Sequence, residues 1–295
     1  MARLPLTVIS GYLGAGKTTL LNRLLSEDHG LRLLVMVNDF GAINIDAALL
    51  VSSDADTLTL SNGCVCCTMG ADLFMAIGDV LDRATRPDHL VIEASGIADP
   101  ARIAQVAQAE PDLIYGGIIT VVDAVEYPRL REDVQIGAQV AGQVQAADLI
   151  CVSKLDAPDP ALMLRLAVES ATEVIDLAQI HSLAPAIFGV SAATPQITGA
   201  PHGAYTGWHH AGDCRMDRNS LMALVKNRPD GLFRFKGFVG HDDKSAWEVQ
   251  CVGNSVSIKS LNAGRDTQVV GIGLEARITP AQIEAWWQGH ASAPA

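Results

Sequence analysis

The feature that most constrains this chain is a glycine-rich segment near its start, Gly11–Thr18, which reads GYLGAGKT. It follows a short apolar run, Leu6–Ser10, and precedes a helix-forming segment, Lys17–Ser26. The glycines let the backbone curl so that successive N–H groups point at phosphate oxygens, and the helix N-terminus adds positive potential. The pattern predicts a phosphate-binding loop for a nucleoside triphosphate.

The side chains of this loop have distinct expected roles. Lys17 would bridge the β- and γ-phosphates and contribute to catalysis, and the Thr18 hydroxyl would hold Mg²⁺. The alternative, a glycine turn with an exposed lysine, is disfavoured because a strand and a helix stand where phosphate binding requires them. The remaining candidate nucleotide-binding residues of the loop are Gly11, Gly14, Ala15, Gly16 and Thr19.

Short apolar runs alternate with helix-like segments over the first 190 residues. Runs of Val, Ile and Leu without polar alternation are typical of strands buried on both faces of a parallel sheet. We therefore predict an α/β fold, a P-loop doubly wound and mainly parallel sheet with ligands at the carboxyl ends of its strands. The predicted strands are Leu6–Ser10, Leu31–Val37, Leu90–Ile92, Ile118–Val122 and Leu149–Val152, and the predicted helices are Lys17–Ser26, Ala71–Arg83, Pro100–Ala109, Gln135–Ala146 and Pro160–Thr172.

The composition changes after this region, which predicts a second domain. Residues 1–195 form the predicted nucleotide-binding domain, and glycines and histidines in residues 196–213 indicate a linker. Residues 214–295 are predicted to form a smaller C-terminal α+β domain. Its predicted strands are Leu232–Val239, Ala246–Val252, Val256–Ile258 and Gln268–Ile272, and its predicted helices are Asn219–Lys226 and Pro280–Trp287.

Charge and hydropathy exclude several classes of partner. There are 33 acidic against 21 basic side chains, a formal net charge of −12, which disfavours a broad nucleic-acid or anionic-membrane footprint. No apolar run approaches the roughly 20 residues of a membrane-spanning helix. The N-terminal apolar stretch runs directly into the glycine loop rather than to a cleavage site, so we expect a cytoplasmic protein.

The segment Ser153–Asp156, which reads SKLD, follows a predicted strand and resembles the guanine-reading motif of P-loop GTPases. The Asp156 carboxylate can accept two adjacent guanine protons, a donor pair that adenine lacks, and the Lys154 stem would lie along the base. Ser153 replaces the usual Asn. Ser191 would lie in a second loop against the base. The alternative is an ordinary strand end followed by a helix cap.

The segment Glu93–Gly96 closes another predicted strand. The Glu93 carboxylate would hold Mg²⁺ through a bound water or position the attacking water, and the Gly96 N–H would sense the γ-phosphate. The alternative is a strand-end turn with an exposed Glu. Arg102 is the nearest arginine in sequence, and an arginine at a helix start is usually solvated. We therefore expect slow intrinsic hydrolysis.

Three of the six cysteines are crowded into four residues, Cys64, Cys66 and Cys67. Soft thiolates at this spacing suit tetrahedral Zn²⁺ or Co²⁺, or Cu(I), better than Mg²⁺ or Ca²⁺. Such spacing is a poor disulfide framework, and the alternative is a redox or incidental cluster.

In combination, these motifs resemble the CobW-like metallochaperone GTPases, a P-loop class that includes the urease and hydrogenase maturation GTPases. The resemblance covers the nucleotide domain and extends into the C-terminal domain. The segments that carry it are GYLGAGKTT, VNDFGAINID, GCVCC, EASGIADP, SKLD and FRFKGF.

The resemblance places a transferable metal at Cys64, Cys66 and Cys67, with Asp39 as a further candidate ligand. The family's switch segment usually reads Asn-Glu-Phe-Gly-Glu, whereas Ala42 here removes the second carboxylate. Asp46 is another candidate switch carboxylate. Many relatives carry a long histidine-rich stretch that could store metal, whereas the predicted linker has only three histidines. We interpret these as solvated or hydrogen-bonded residues: His202, His209 and His210.

The resemblance implies a GTP-dependent metallochaperone that binds GTP/GDP, Mg²⁺ and Zn²⁺, with Co²⁺ the next metal, and delivers the metal to a client metalloprotein. Two alternatives are a metal-responsive GTPase switch that binds a partner without delivery, and a P-loop small-molecule kinase. The sequence names neither the client nor the physiological metal. It also leaves open whether the chain forms a homodimer and whether metal is delivered or only sensed.

Overall fold

The computed structural model of this chain describes residues 3–38, 57–60, 73, 75–190, 205–252 and 255–291. These residues divide into two compact units, one within residues 3–190 and the other within residues 205–291. The units correspond to a sheet of parallel strands and a sheet of antiparallel strands.

Within the described ranges, seven parallel strands form the sheet of the first unit, in the order β3-β2-β4-β1-β5-β6-β7. The central strand β1 leads into the glycine loop and lies between β4 and β5. The strands are Leu4–Ser10 (β1), Leu33–Asn38 (β2), Thr57–Leu60 (β3), His89–Glu93 (β4), Leu113–Asp123 (β5), Leu149–Ser153 (β6) and Glu173–Asp176 (β7).

The helices of this unit begin where the sequence places capping residues. Asp99 Oδ1 accepts a hydrogen bond from Ala101 N at 3.0 Å, and Asp159 Oδ1 accepts one from Leu162 N at 3.0 Å. In both helices a proline occupies the first turn, where its missing N–H costs nothing. The helices are Lys17–Ser26 (α1), Pro100–Ala109 (α2), Tyr127–Glu132 (α3), Gly137–Gln145 (α4), Pro160–Ser170 (α5) and Leu183–Phe188 (α6), and residues 75–81 are also helical.

Apolar side chains fill both faces of this sheet, because successive residues of a strand point to opposite sides. On one face Val8, Met36, Ile92 and Ile118 pack in one core, and their strand neighbours Ile9, Val35, Val91 and Ile119 pack in a second core on the other face. The predicted doubly wound parallel sheet is therefore confirmed.

The described part of the second unit is an antiparallel sheet with two helices packed against one face. Its strands run in the order β11-β10-β9-β12-β8, and the two helices bury apolar side chains against it, Leu221, Leu224, Ile283 and Trp287 among them. The elements are Tyr205–Gly212 (β8), Arg218–Lys226 (α7), Leu232–Gly240 (β9), Ala246–Val252 (β10), Ser255–Leu261 (β11), Thr267–Leu274 (β12) and Pro280–Ala291 (α8).

One boundary prediction is wrong, because the linker placed at residues 196–213 contains the strand Tyr205–Gly212. This strand pairs with β12, with Trp208 opposite Gly271. Thr206 and Trp208 are buried while Gly207 and His209 are exposed, so the segment does alternate. Its glycines and histidines conceal that alternation in the sequence. None of the helices in the described ranges is long and apolar enough to cross a bilayer.

Candidate functional site

The glycine loop between β1 and α1 has a backbone that only glycine adopts readily. Gly11, Gly14 and Gly16 have φ of 136°, 75° and 102°. A Cβ on Gly11 would lie 2.3 Å from the carbonyl oxygen of Val121, on the neighbouring strand β5. The loop therefore lies directly against the end of β5.

Lys17, the first residue of α1, folds back over this loop. Its Nζ donates to the carbonyl oxygen of Gly11 at 2.8 Å and lies 3.4 Å from that of Tyr12. The side chain is 5% exposed. Its ammonium is thus held at the curl of the loop, where a phosphate would be bound.

Thr18 and Glu93, the two candidate magnesium residues, lie together although they are far apart in sequence. Thr18 Oγ1 donates to Glu93 Oε1 at 3.1 Å. Glu93 is buried at the end of β4, where it pairs in register with Ile9 of β1. A hydroxyl and a carboxylate at one position are oxygen ligands of the kind Mg²⁺ prefers. The residues present therefore fit a magnesium ion.

Gly96 lies in the loop that follows β4, and this loop contacts the glycine loop. A Cβ on Gly96 would lie 2.7 Å from the backbone nitrogen of Leu13. Two buried hydroxyls that the sequence analysis did not single out are nearby in the chain, Ser10 before Gly11 and Ser95 before Gly96. Neither hydroxyl has a hydrogen-bond partner within the described ranges.

The SKLD segment is fastened to the glycine loop by its first two residues. Ser153 Oγ donates to the carbonyl oxygen of Ala15 at 2.7 Å. Lys154 has a φ of 59°, and its Nζ donates to the carbonyl oxygen of Gly14 at 2.9 Å. The serine that stands in place of the usual Asn therefore still reaches the loop.

Asp123, at the end of β5, completes this connection and was missed by the sequence analysis. Its Oδ2 accepts from Lys154 Nζ at 2.5 Å, while its Oδ1 accepts from the backbone nitrogens of Val125 at 2.9 Å and Glu126 at 3.2 Å. The carboxylate is buried, so it holds Lys154 more firmly than an exposed ion pair would. The only available clue in the sequence was its position at the end of an apolar run.

The other predicted residues fall in three places. Thr19 is in the first turn of α1, and Asp156 is exposed after β6. Arg102 is 58% exposed and pairs with Asp99 at 3.6 Å, in agreement with a solvated role. His209 and His210 lie on β8 of the second unit. Outside the described residues lie Asp39, Asp46, Cys64, Cys66, Cys67, Ser191 and His202.

The remaining three cysteines are not arranged as a metal site. Cys151 and Cys251 are buried within strands, and burial raises the pKa of the Cys151 thiol to about 12. Burial, and then the charge of Asp213, raise the pKa of Cys214. In the part of the chain that the structure describes, no three His, Cys, Asp or Glu side chains form a metal-binding group. The assignment of metal to the Cys64–Cys67 segment stays a prediction.

A glycine loop after a central parallel strand, a lysine and threonine at the following helix start, and a buried carboxylate on the adjacent strand define a P-loop nucleotide-binding protein. The family model described as "CobW/HypB/UreG, nucleotide-binding domain" matches residues 5–182, more than half of the chain. The chain therefore belongs to the CobW/HypB/UreG family. A second model, the cobalamin synthesis protein cobW C-terminal domain, matches residues 205–290. The resemblance seen in the sequence is confirmed.

Several characterised proteins are similar to this chain. It is 33% identical over 185 residues to the zinc chaperone CobW of Sinorhizobium sp, covering 53% of this chain and 52% of that protein. It is 37% identical over 164 residues to the zinc chaperone YjiA of Escherichia coli (strain K12), covering 53% and 51%. The chain thus spans about half the length of the curated relatives it matches. The crystal structure of Zn(II)-bound YjiA GTPase from E. coli covers 98% of this chain and 99% of its own at 23% identity, with a TM-score of 0.46.

Proposed function

We propose that this protein is a GTP-dependent metallochaperone that binds a thiolate-coordinated transition metal, hydrolyses GTP and delivers the metal to a client metalloprotein. The observation that carries the proposal is the convergence of two other motifs on the glycine loop. Glu93 contacts Thr18 at the loop's end, while Ser153 and Lys154 bind carbonyl oxygens of the loop itself. The names of the relatives, zinc chaperones among them, support the metal part.

Nucleotide binding would use the groups already gathered around the loop. The backbone N–H groups of Gly14, Ala15 and Gly16 and the Lys17 ammonium would bind the phosphates. Thr18 and Glu93 would hold Mg²⁺, which when bound neutralises charge on the phosphates. Asp156 would recognise guanine, with Lys154 along the base and Ser191 in the facing loop.

Hydrolysis would depend on Glu93, whose carboxylate would orient a water toward the γ-phosphate, and its contact with Thr18 at the end of the glycine loop supports this role. Arg102 is exposed and paired with Asp99, and so is not positioned as a catalytic arginine. Because Arg102, the arginine nearest to this motif in sequence, is solvated, we expect the intrinsic turnover to be slow.

The metal would be held by Cys64, Cys66 and Cys67, with Asp39 as a further candidate. Three thiolates and one other ligand favour four-coordinate Zn²⁺, with Co²⁺ as the next choice. Since nucleotide and metal segments belong to one domain, binding of each should change the affinity for the other by the same factor.

The proposal is tested by measuring Zn²⁺ affinity in the presence of Mg·GTP and of Mg·GDP. We expect tighter binding with GTP, and equal affinities would contradict the proposal. Cys66→Ser and Cys67→Ser should each abolish the difference while GTP binding survives. The matched control is Cys214→Ser, which removes a half-buried thiol outside the cluster and should leave the difference intact.

Transfer distinguishes delivery from sensing. If the metal-loaded protein gives up zinc to a zinc-free client only after GTP hydrolysis, it is a chaperone. If GTP-dependent partner binding occurs without any transfer, the protein is a metal-responsive switch. ATP displacing GTP at equal concentration would instead favour a small-molecule kinase.

A further inference from the structure

The loop at residues 94–98, between β4 and α2, is buried although it has no regular secondary structure. Backbone carbonyls that are removed from water need hydrogen-bond partners. In an irregular loop these partners do not come from the regular backbone hydrogen bonds of a helix or sheet. This loop joins Glu93 to the helix that begins after Asp99, so its conformation determines where Gly96 lies.

Two glutamines on α4 satisfy three successive carbonyls of this loop. Gln143 Nε2 donates to the carbonyl oxygens of Gly96 and Ala98, each at 3.1 Å. Gln139 Nε2 donates to the carbonyl oxygen of Ile97 at 2.6 Å. The two side chains are 3% and 1% exposed respectively. A buried primary amide is costly unless it is paired, so these contacts define one specific loop conformation.

Residues 94–98 also contact the glycine loop. Gly96 fits against Leu13 with no room for a Cβ, since an added carbon would lie 2.7 Å from Leu13 N. Helix α4 is in turn fixed to the sheet, because Thr120 Oγ1 of β5 donates to the carbonyl oxygen of Gln143 at 3.0 Å. Gly96 therefore contacts both the glycine loop and a helix that is anchored to the sheet.

We infer that Gln139 and Gln143 are positioning residues that hold residues 94–98 so that Glu93 and Gly96 can respond to a γ-phosphate. This inference rests on the proposed function, since it assumes that GTP is the ligand. The glycine loop and the SKLD segment would bind the rest of the nucleotide. Neither takes part in the three hydrogen bonds from the glutamines to residues 96–98. The glutamines should therefore act on discrimination between GTP and GDP rather than on guanine nucleotide binding in general.

The test compares GTP and GDP affinities, and kcat with KM, in the full chain and in Gln143→Met. Methionine keeps the length of the side chain and removes both donated bonds. We expect GTP to bind about tenfold more weakly, with GDP affinity changed less than about twofold and a reduced kcat, because two buried bonds to the loop are lost. Gln139→Met removes one bond and should weaken GTP binding about threefold. The matched control is Gln145→Met, an exposed glutamine at the end of the same helix, which should match the parent.

Each outcome separates this inference from the proposed function. If the parent binds GTP but Gln143→Met keeps the parent's affinity ratio and kcat, the positioning role is wrong and the proposed function stands. Equal weakening of GTP and GDP would mean a merely structural role and would also overturn the inference. If Gln143→Met does not fold, the ratio measured for Gln139→Met decides. A parent that binds no GTP would instead refute the proposed function.

Discussion

At the scale of single residues, Lys154 shows how the SKLD segment and the glycine loop are joined. A non-glycine residue in the left-handed region is uncommon and must be held there by its contacts. Its φ is 59°, and its ammonium contacts Gly14 O and the buried Asp123 carboxylate. We therefore expect Asp123 to affect nucleotide binding, although it belongs to none of the motifs found in the sequence.

Asp123→Asn tests that role. The amide oxygen can still accept from the Val125 and Glu126 backbone, but the ion pair with Lys154 is lost. We expect GTP and GDP affinities both to fall about five- to tenfold, since a charge-assisted bond between a buried carboxylate and a partly exposed ammonium contributes roughly 1–1.4 kcal/mol. Isothermal titration with both nucleotides measures this. The control is Asp176→Asn, an aspartate at the end of β7 whose Oδ1 likewise accepts from the backbone two residues on, at Ala178 N. Unchanged affinity in Asp123→Asn would refute the role.

Asp156→Asn tests guanine recognition separately. An amide cannot accept both guanine protons, so we expect the preference for GTP over ATP to fall by roughly 2–3 kcal/mol, the scale of a paired charge-assisted contact. Competition between the two nucleotides measures the ratio. A ratio equal to the parent's would show that Asp156 does not read the base.

At the scale of elements, the sequence predicted the strands and helices whose burial or capping is visible in a short run of neighbouring residues. Continuous Val, Ile and Leu predicted the central strands, and Asp99-Pro100 predicted the start of α2. The short edge strands β3 and β7, and the short helices α3 and α6, were missed because few residues carry their pattern. In the site, the motifs themselves were predictable. The hydrogen bonds that connect the motifs were not predictable. Those made by Gln143 and Asp123 join residues that are far apart in sequence, and only the folded structure shows which elements are neighbours.

Helix α6 depends on such a long-range contact, since Glu27 after α1 caps its start. Glu27 accepts from the backbone nitrogens of Leu183 and Ala184, at 2.7 Å and 3.1 Å for the nearer oxygens. Burial raises the pKa of this carboxyl, but the bonds from Leu183, Ala184 and Ser182 outweigh it and lower the pKa overall.

Glu27→Ala should therefore destabilise the first unit by about 1–2 kcal/mol, the usual cost of losing a helix cap. Urea unfolding followed by circular dichroism measures the change. Asp28→Ala, at the adjacent position, serves as the control and should have little effect. If the two variants unfold alike, the contact between α1 and α6 contributes nothing measurable.

At the scale of the whole molecule, stability should depend on pH through a buried histidine. Burial lowers the pKa of His89 from 6.5 to about 4. Its ring packs against that of Phe188 with centroids 4.3 Å apart and the ring planes inclined by 41°, and its Nε2 lies 2.8 Å from Thr7 Oγ1. The folded protein binds this proton more weakly than the unfolded chain does, so acid favours unfolding.

We expect the free energy of unfolding to decrease by about 3 kcal/mol between pH 6.5 and pH 4 on account of His89 alone. Carboxyls whose pKa is lowered in the folded protein, such as Glu27, also contribute less to stability as the pH falls. The contribution of His89 must therefore be measured by comparing the parent with a variant at this position. His89→Gln can still donate to Thr7 but does not titrate. Denaturant unfolding across this range should show a shallower loss in the variant, and parallel curves would contradict the assignment.

The strand order also has a consequence for how this protein emerges from the ribosome. The strand that leads into the glycine loop pairs Ser10 with Thr120, 110 positions later in the chain. The loop therefore cannot close against Val121 until β5 has been synthesised, which takes about 5–20 s at typical elongation rates. During that interval the nascent chain contains the lysine and glycines of the loop but not the folded site. Nucleotide can therefore stabilise the folded state only in chains that have been translated past β5.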